Sequence, residues 1–359
     1  MGGLNALMRR IWPALSLVLL VVVVASIGSN MSLVNQRHTI EVLINVVLVV
    51  GLYVFVGNSG VLSFGQMSFM TIGAYTTALI TIPVVQKGFL LPDLPSWLAE
   101  ASFSGVPAAL IAGGAALVFA MIIVVPIVRL SGLAASLAMF AVLVVVYQVA
   151  IHWDAVTRGS QTMIGVPTDT TIWNALAWAI VAIVLAYAHQ QSNSGLRLRA
   201  SREDEFAARA AGISIPRERA VAFLLSAFLI GIGGFLHAQF QGSFTPNAFY
   251  IHITFLTIAM LVVGGQKSLA GAVVGAVVVS VLSFALNDVE DGIEVGPIDF
   301  GGRDGLSDTA LAAFILLVLV FRRDGIMRGR EFGWGRPAFL TRAQEPGDQA
   351  SSPRRTSTG

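Results

Sequence analysis

Apolar blocks long enough to cross a lipid bilayer constrain this chain more than any other feature of its sequence. A spanning helix needs roughly 17–25 predominantly apolar residues. The 359-residue chain has about ten apolar blocks, two of them short for a full span, and only 12% of its residues are charged. Soluble proteins carry about 25% charged residues. The approximate block limits are 11–29, 40–56, 62–82, 106–128, 131–151, 172–189, 220–241, 253–264, 268–286 and 309–321.

The backbone requirement of the bilayer favours helices in every block. Each N–H and C=O in the hydrocarbon must be paired, and a membrane β-barrel would need alternating segments that runs such as 18–24 do not provide. We therefore predict an all-α polytopic transmembrane helical bundle of about ten spans, some of which can be broken or re-entrant. The transmembrane domain is predicted to cover 1–330. The tail 331–359, rich in Pro, Gly, Ser, Thr and Arg, is predicted to be disordered.

The distribution of charge predicts the orientation of the spans. Arg9 and Arg10 precede the first block, which we interpret as a transmembrane helix rather than a signal peptide. With both arginines in the cytoplasm, 18 of the 22 Lys and Arg lie inside, as the positive-inside rule requires, and 12 of the 20 acidic residues lie outside. Both termini are therefore predicted to be cytoplasmic. The predicted cytoplasmic pieces are 1–10, 57–61, 129–130, 190–219, 265–267 and 322–359.

The block 62–82 is too polar for contact with lipid. Polar side chains inside a bilayer usually face the bundle interior or a water-filled path, and here they occupy two helix faces. The block either lines a translocation path or is a packed central helix whose hydroxyls bond their own i−4 carbonyls. The candidate path residues are Ser63, Gln66, Ser68, Thr71 and Tyr75.

Glycines recur in this block, in its lead-in and in the stretch 264–275, GGQKSLAGAVVG. Glycine permits tight turns and close approach of two helices. The likeness between the turns at 57–63 and 264–268 indicates either a weak internal repeat of the kind found in transporters or the general preference of short turns for glycine. The predicted packing glycines are Gly60, Gly65, Gly73, Gly264, Gly265, Gly271 and Gly275.

The loop 190–219 is polar, rich in alanine and helix-prone. Ser201, with Asp204 three residues later, fits a helix N-cap pattern, and Gly212 fits a helix stop. The sequence therefore predicts a short cytoplasmic helix from about Arg202 to Ala211.

Residues for catalysis or metal binding are missing from the sequence pattern. There are no cysteines, and no two of the five histidines have the i, i+4 spacing of a helical zinc pair. The run GGQKS lacks the spacing of a phosphate-binding loop, so an ATP site would have to lie on another chain. His237 is predicted to be a packed or interfacial residue. We expect no catalytic residue, no metal and no cofactor.

The stretch 58–79, NSGVLSFGQMSFMTIGAYTTAL, resembles the signature of branched-chain amino acid ABC transporter permeases of the LivM type. That signature typically reads G-x-L-S-x-G-[HQ]-x-x-F-x-x-x-G-A-Y. Residues 196–213, LRLRASREDEFAARAAGI, are similar to the cytoplasmic coupling segment of that family. Shorter matches lie at 152–160, 263–271 and 321–325, so the resemblance covers roughly 40–326 in order. Two departures are Gln66, where many members carry His, and Gln266-Lys267, where Gly-Leu-Gly is more usual.

The resemblance implies a multi-pass subunit of the bacterial inner membrane that is not itself an enzyme. It would alternate access for a branched-chain amino acid. Its implied partners are a second related permease subunit, two cytoplasmic ATPase subunits, a periplasmic substrate-binding protein and membrane lipid, with no nucleic acid. The residues implied in ATPase coupling are Glu203, Asp204, Glu205, Ala207, Ala208 and Gly212.

Three alternatives stay open at this point. The first is an ABC permease for another small solute, such as urea, an amide or a sugar. The second is a secondary carrier or channel that works alone, which the scarcity of ionisable residues within the spans disfavours. The third is a membrane-embedded enzyme, disfavoured because the sequence offers no nucleophile, base and metal set near a membrane face.

Overall fold

A computed structural model describes residues 2–290, 294–295, 298–299, 305–322, 324–329 and 331, and α-helices dominate this part of the chain. The other regular elements described are a 3-10 helix at Pro246–Phe249 and a pair of antiparallel two-residue strands, Glu294–Val295 and Ile298–Asp299. Non-helical segments such as 60–66 and 158–171 connect the helices. The first eight helices are α1 (Gly2–Ser29), α2 (Leu33–Ser59), α3 (Met67–Thr81), α4 (Val84–Leu90), α5 (Ser96–Ala99), α6 (Gly105–Arg129), α7 (Gly132–His152) and α8 (Asp154–Thr157). The others are α9 (Ile172–Gln191), α10 (Asn193–Glu203), α11 (Glu205–Ala210), α12 (Ile215–Gln241), α13 (Ile251–Gly264), α14 (Leu269–Glu290) and α15 (Leu306–Phe321).

Helix α2 forms the centre of the bundle. It is apolar on all sides, every residue in 42–59 is buried, and it contacts α1, α9, α10, α12, α13 and α14. A helix that is apolar all round is stable only when other elements enclose it or when it lies in lipid. Its polar residue Asn45 donates a hydrogen bond to the Ser280 hydroxyl of α14 at 3.0 Å. That bond offsets the cost of burying an amide among apolar side chains.

Helix α12 packs against α2, α3 and α6, and glycines allow the closest of these contacts. A Cβ atom built on Gly73 of α3 would overlap the carbonyl oxygen of Gly231 in α12. A Cβ on Gly234 would overlap the carbonyl oxygen of Met70 in the same way. The two helices therefore approach backbone to backbone, as small residues permit in membrane bundles.

The polar block predicted as one helix over 62–82 is broken at both ends. Helix α2 ends at Ser59, residues 60–66 are not helical, and α3 begins only at Met67. After Thr81 the chain bends by 116° into α4. A continuous helix over this block is therefore wrong, while the expectation of a broken or re-entrant span is confirmed. Non-helical backbone at membrane depth is tolerated where protein encloses it.

The all-α polytopic bundle is confirmed. Among the described residues, eight helices are long and apolar enough to cross a membrane, and nine if α3 and α4 form one bent span. Helix α15 adds a shorter apolar stretch, Thr309–Val318. The count agrees with the prediction of about ten blocks. The predicted disordered tail lies outside the described residues apart from Glu331, as does much of the segment 287–308, which is rich in Asp and Glu.

Segments that the charge pattern assigns to one side of the membrane meet at one end of the bundle. Arg202 contacts the end of α2, and Arg219 contacts the end of α6. The backbone N–H of Met327 donates to the carbonyl oxygen of Gly264 at 3.0 Å. We call this region the basic end; it comprises 57–61, 129–130, 190–219, 264–267 and the described part of 322–331.

Candidate functional site: a broken span and a helix pair at the basic end

The non-helical stretch before α3 is held against helix α7. The Ser136 hydroxyl of α7 donates to the carbonyl oxygen of Leu62 at 2.6 Å. A Cβ on Gly65 would overlap the carbonyl oxygen of Met139, so only glycine fits there without movement. These two contacts hold the stretch 60–66 against α7. The stretch runs from the basic end to the start of α3 in the bundle interior.

The five predicted path residues divide into two groups. The Ser68 hydroxyl donates to Gly65 O at 2.6 Å, and the Thr71 hydroxyl donates to Met67 O at 3.1 Å. Local backbone carbonyls therefore satisfy these two side chains, as in the packed-helix alternative. The hydroxyls of Ser63 and Tyr75 and both amide atoms of Gln66 have no hydrogen-bond partner among the described residues.

Ser63 and Gln66 are the most isolated polar groups of the path candidates. Each is only 1% exposed to solvent. A buried polar group without a partner costs about 1–3 kcal/mol, so native proteins keep few of them, often where a ligand, ion or water binds. Both residues lie just before Met67, where α3 begins, and they can offer a hydroxyl and an amide to a bound solute.

Tyr75 lies toward the opposite end of the bundle. Its ring packs edge-on against Phe244 with ring centroids 5.2 Å apart. Phe244 and Met163 form an isolated antiparallel β-bridge, with N···O distances of 2.8 and 3.0 Å. Gln239 in α12 is also 1% exposed and has no amide partner among the described residues. Gln239 was not predicted from the sequence, although a glutamine inside an apolar span is a usable signal.

The cytoplasmic helix predicted from about Arg202 to Ala211 is in fact two helices, α10 and α11. Ser201 does not cap a helix; its hydroxyl donates to the carbonyl oxygen of Leu198 inside α10. Asp204 breaks the helix in an extended conformation and caps α11, since its carboxylate accepts N–H bonds from Phe206 and Ala207 at 2.9 and 3.0 Å. An aspartate satisfies the free N–H groups of a first helical turn effectively.

The end of α11 agrees with the predicted stop. Gly212 follows the helix with φ of +78°, a left-handed conformation that favours glycine. Its surroundings are open, and Ala207 is exposed, whereas Ala208 is buried.

An ion pair fastens α11 to the start of α12. The Arg219 guanidinium lies 2.5 Å from the Glu205 carboxylate, and Arg219 is buried at the base of the bundle. Arg219 also donates to the carbonyl oxygen of Leu130, just beyond α6, at 3.4 Å. Arg209 approaches the same carboxylate at 3.5 Å from the exposed side. Glu205 therefore positions α11 rather than presenting a free charge to solvent.

Glu203 is paired within the chain as well. Its carboxylate accepts two hydrogen bonds from Arg202, at 2.8 and 3.1 Å. That hydrogen bonding, together with the charge of Arg202, lowers the pKa of Glu203 below its usual range. A third guanidinium nitrogen of Arg202 donates to the carbonyl oxygen of Gly57 at 2.6 Å.

A cleft opens beside these residues at the basic end, with a volume of about 220 Å³. It lies between the end of α10 and the two glycine turns at 57–63 and 264–268. Its lining residues are Val56, Gly57, Gly60, Arg202, Glu203, Gln266 and Lys267.

The predicted packing glycines in the second half of the chain line the turn between α13 and α14. Cβ atoms on Gly264, Gly271 and Gly275 would each overlap a backbone carbonyl oxygen, those of Gly271, Gly265 and Met260 respectively. Gly265 has φ of +116°, which few other residues adopt. Gly60 has φ of +72° at the end of α2.

Glu331 is a further residue whose contacts were not predicted from the sequence. Its carboxylate accepts from the N–H groups of Leu269 and Ala270, at 2.8 and 3.2 Å, and from the Gln190 amide at 3.0 Å. It thus caps α14 and joins that helix to the end of α9. No group of three potential metal ligands occurs among the described residues.

A bundle of eight or nine candidate spans among the described residues, one of them broken and preceded by unpaired buried polar groups, defines a polytopic α-helical membrane protein. A family model described as "Branched-chain amino acid transport system / permease component" matches residues 37–289. This chain belongs to that family, the LivM-type permeases.

Two curated relatives agree with the family match. The high-affinity branched-chain amino acid transport system permease protein LivM of Escherichia coli (strain K12) is 23% identical over 330 residues, which cover 81% of this chain and 70% of the relative. The protein of the same description from Salmonella typhimurium (strain LT2) is 23% identical over 319 residues, covering 79% and 68%. No solved structure matches significantly.

Proposed function

We propose that this chain is the membrane permease of an ATP-driven importer for branched-chain amino acids. Separate ATPase subunits drive it from the basic end, a second related permease subunit completes the membrane domain, and a periplasmic binding protein delivers the substrate. The observation that carries the proposal is the family match together with α11, an anchored helix with an exposed face at the basic end.

The orientation in this proposal places the basic end in the cytoplasm of a bacterial inner-membrane protein. Arginine-bearing loops that are distant in sequence meet at that end, for example 129–130 with 190–219. The positive-inside rule supports such a clustering on the cytoplasmic side. Both chain termini are then cytoplasmic.

Helix α11 is the proposed contact for the ATPase. Phe206 is 84% exposed on α11, and Leu196 of α10 is also exposed. The opposite side of α11 is attached to the bundle. An exposed aromatic residue on such a helix is a suitable anchor for a groove on a partner protein. Of the residues implied in coupling, Asp204 and Glu205 then act by holding α11 in place, while Ala207 and Gly212 lie on its accessible side.

The start of α3 is the proposed position of substrate recognition. A zwitterion needs hydrogen-bond partners for its carboxylate, and the N-terminus of a broken membrane helix favours negative charge. Ser63 and Gln66 provide buried polar groups with free capacity at this point. The scarcity of ionisable residues within the spans suits an apolar side chain, and alternating access would expose this site to each side in turn.

Truncation of the exposed aromatic on α11 tests the ATPase contact. We expect Phe206→Ala to reduce co-purification of the ATPase subunits and ATP-dependent leucine uptake by at least about tenfold, the cost of one moderate interface anchor. Phe89→Ala is the matched control, because Phe89 is 85% exposed on α4, beyond the other end of α3. Equal losses in both variants, or none in either, would argue against docking at α11.

Binding measurements on the cognate periplasmic protein test the substrate class. Selective binding of leucine, isoleucine and valine supports the proposal. Selective binding of urea, an amide or a sugar would indicate a permease for that solute instead. Solute movement by the purified chain without any ATPase would indicate an independent carrier or channel.

A further inference from the structure

The side chain of Arg202 connects the last turn of α10 to the last turn of α2. Its guanidinium donates to the carbonyl oxygen of Gly57 at 2.6 Å, and the side chain is only 17% exposed. These two residues are 145 positions apart in the sequence. The contact is therefore a tertiary link between the cytoplasmic helix pair and the central helix of the bundle.

The carbonyl oxygen of Gly57 is a natural acceptor for such a link. It belongs to the last turn of α2, where carbonyl oxygens lack the N–H partners of a continuing helix and the helix dipole favours a cation. Gly60 ends α2 with φ of +72°, and a Cβ there would lie 2.6 Å from Cγ of Arg202. Arg202 therefore packs directly over the turn that leads into the stretch with Ser63 and Gln66.

The chain continues from Arg202 directly to the exposed helix α11. Glu203 follows it and accepts its remaining hydrogen bonds, and Asp204 then caps α11, which carries Phe206. Only three residues separate the guanidinium link from the exposed aromatic. A displacement of α11 thus reaches Arg202 through a short and hydrogen-bonded piece of chain.

The cleft beside Arg202 provides room for the link to move. It has a volume of about 220 Å³ and opens toward Gln266 and Lys267 of the second glycine turn. The charged groups that line it are Arg202, Glu203 and Lys267. The guanidinium therefore borders open space beside the Gly57 carbonyl.

We propose that Arg202 is the positioning residue through which movement of α11 is passed to the broken stretch before α3. The inference rests on the proposed function, because it supplies the mechanical step between an ATPase docked at α11 and a solute held near Ser63 and Gln66. The Glu205–Arg219 pair anchors α11 to α12 and the end of α6. Among the described residues of α10 and α11, Arg202 is the one whose side chain forms a hydrogen bond with the end of α2.

The test compares transport with ATP hydrolysis in the whole importer. The permease would be reconstituted in lipid vesicles with its ATPase, second permease and binding-protein partners, and leucine imported per ATP hydrolysed would be measured for Arg202→Gln and Arg202→Lys. The matched control is Arg129→Gln, which removes an exposed charge at the same end that has no side-chain partner among the described residues. The midpoint of thermal unfolding and subunit co-purification would show whether each variant folds and assembles.

We expect Arg202→Gln to lower the amount of leucine moved per ATP by about 5- to 100-fold, the range of ordinary coupling free energies, while the complex assembles and hydrolyses ATP. Arg202→Lys should fall between this variant and the wild type, because an ammonium cannot bind Gly57 and Glu203 with a planar fork. Arg129→Gln should match the wild type.

A wild-type ratio in Arg202→Gln would overturn the inference, as would an equal loss in Arg129→Gln. If Arg202→Gln fails to assemble, Arg202→Lys decides, and a wild-type ratio there would equally overturn it. Failure of the proposed function looks different, since leucine import by the unmodified complex would then not depend on ATP at all.

Discussion

The Arg219 guanidinium of α12 lies 2.5 Å from the Glu205 carboxylate of α11, and the pair joins a short helix at the basic end to a membrane-spanning helix. Arg219 is 9% exposed and Glu205 is 31% exposed, so the contact is shielded from water on one side only. Such a pair resists screening better than a surface pair and leaves an uncompensated buried charge if one partner is removed. It therefore fixes α11 at the base of the bundle.

Removal of the Glu205 carboxylate should destabilise the basic end. We expect Glu205→Ala to lower the free energy of unfolding by about 1–3 kcal/mol, because Arg219 then stays buried without its partner. Arg209→Ala is the control, since Arg209 is 62% exposed and its pair with Glu205 should contribute under about 0.5 kcal/mol. Thermal unfolding of the detergent-solubilised chain measures both, and equal shifts would contradict the anchoring role.

The cap of α11 should be a local feature. We expect Asp204→Ala to cost about 0.5–2 kcal/mol of α11 stability and Asp204→Asn to cost much less, because asparagine can still accept the N–H bonds of Phe206 and Ala207. Hydrogen exchange of the amides in 205–210 should therefore be faster in the alanine variant only. Unchanged exchange there would mean that α11 does not depend on this cap.

The close contact of α3 with α12 makes Gly73 intolerant of a side chain. We expect Gly73→Ala to lower stability by about 1–3 kcal/mol, the usual cost of overpacking, because its methyl group would overlap the carbonyl oxygen of Gly231. Gly114 in α6 is the matched control, since nothing lies within 4 Å of a Cβ built there. The measurement is the midpoint of thermal unfolding. A Gly114→Ala variant as unstable as Gly73→Ala would contradict this account.

Glu331 should stabilise the turn between α13 and α14. We expect Glu331→Gln to cost about 1 kcal/mol, because a neutral amide binds the N–H groups of Leu269 and Ala270 less strongly than a carboxylate. Glu100→Gln serves as the control, since that exposed carboxylate has no side-chain partner among the described residues. Thermal unfolding again compares the two. Equal midpoints would show that the cap at Glu331 contributes nothing.

The sequence was sufficient to predict a helical bundle in which some spans can be broken, because bilayer length and backbone pairing restrict what apolar blocks can form. It did not locate the breaks at 60–66 and after Thr81. The prediction that Ser201 caps the start of a helix was wrong for a local reason. Two residues, Ser201 and Asp204, both suit an N-cap, and the sequence pattern does not show which carbonyl or N–H each will meet.

The links that assemble the site could not be predicted from the sequence. The Arg202–Gly57 contact and the Glu331 cap join residues that only tertiary packing brings together. The same limit applies to the path candidates. Ser63 and Ser68 are the same residue type in the same block. The Ser68 hydroxyl has a carbonyl partner, whereas the Ser63 hydroxyl has none among the described residues.

The most direct test of the account is leucine uptake by lipid vesicles that contain the complete importer, with ATP supplied only on the side of the basic end. That side can be identified by labelling a single cysteine at position 217, because the chain has no cysteine of its own. We predict that leucine accumulates only when ATP, the ATPase subunits and the binding protein are all present. Accumulation without ATP, or accumulation driven by ATP on the opposite side, would contradict the account.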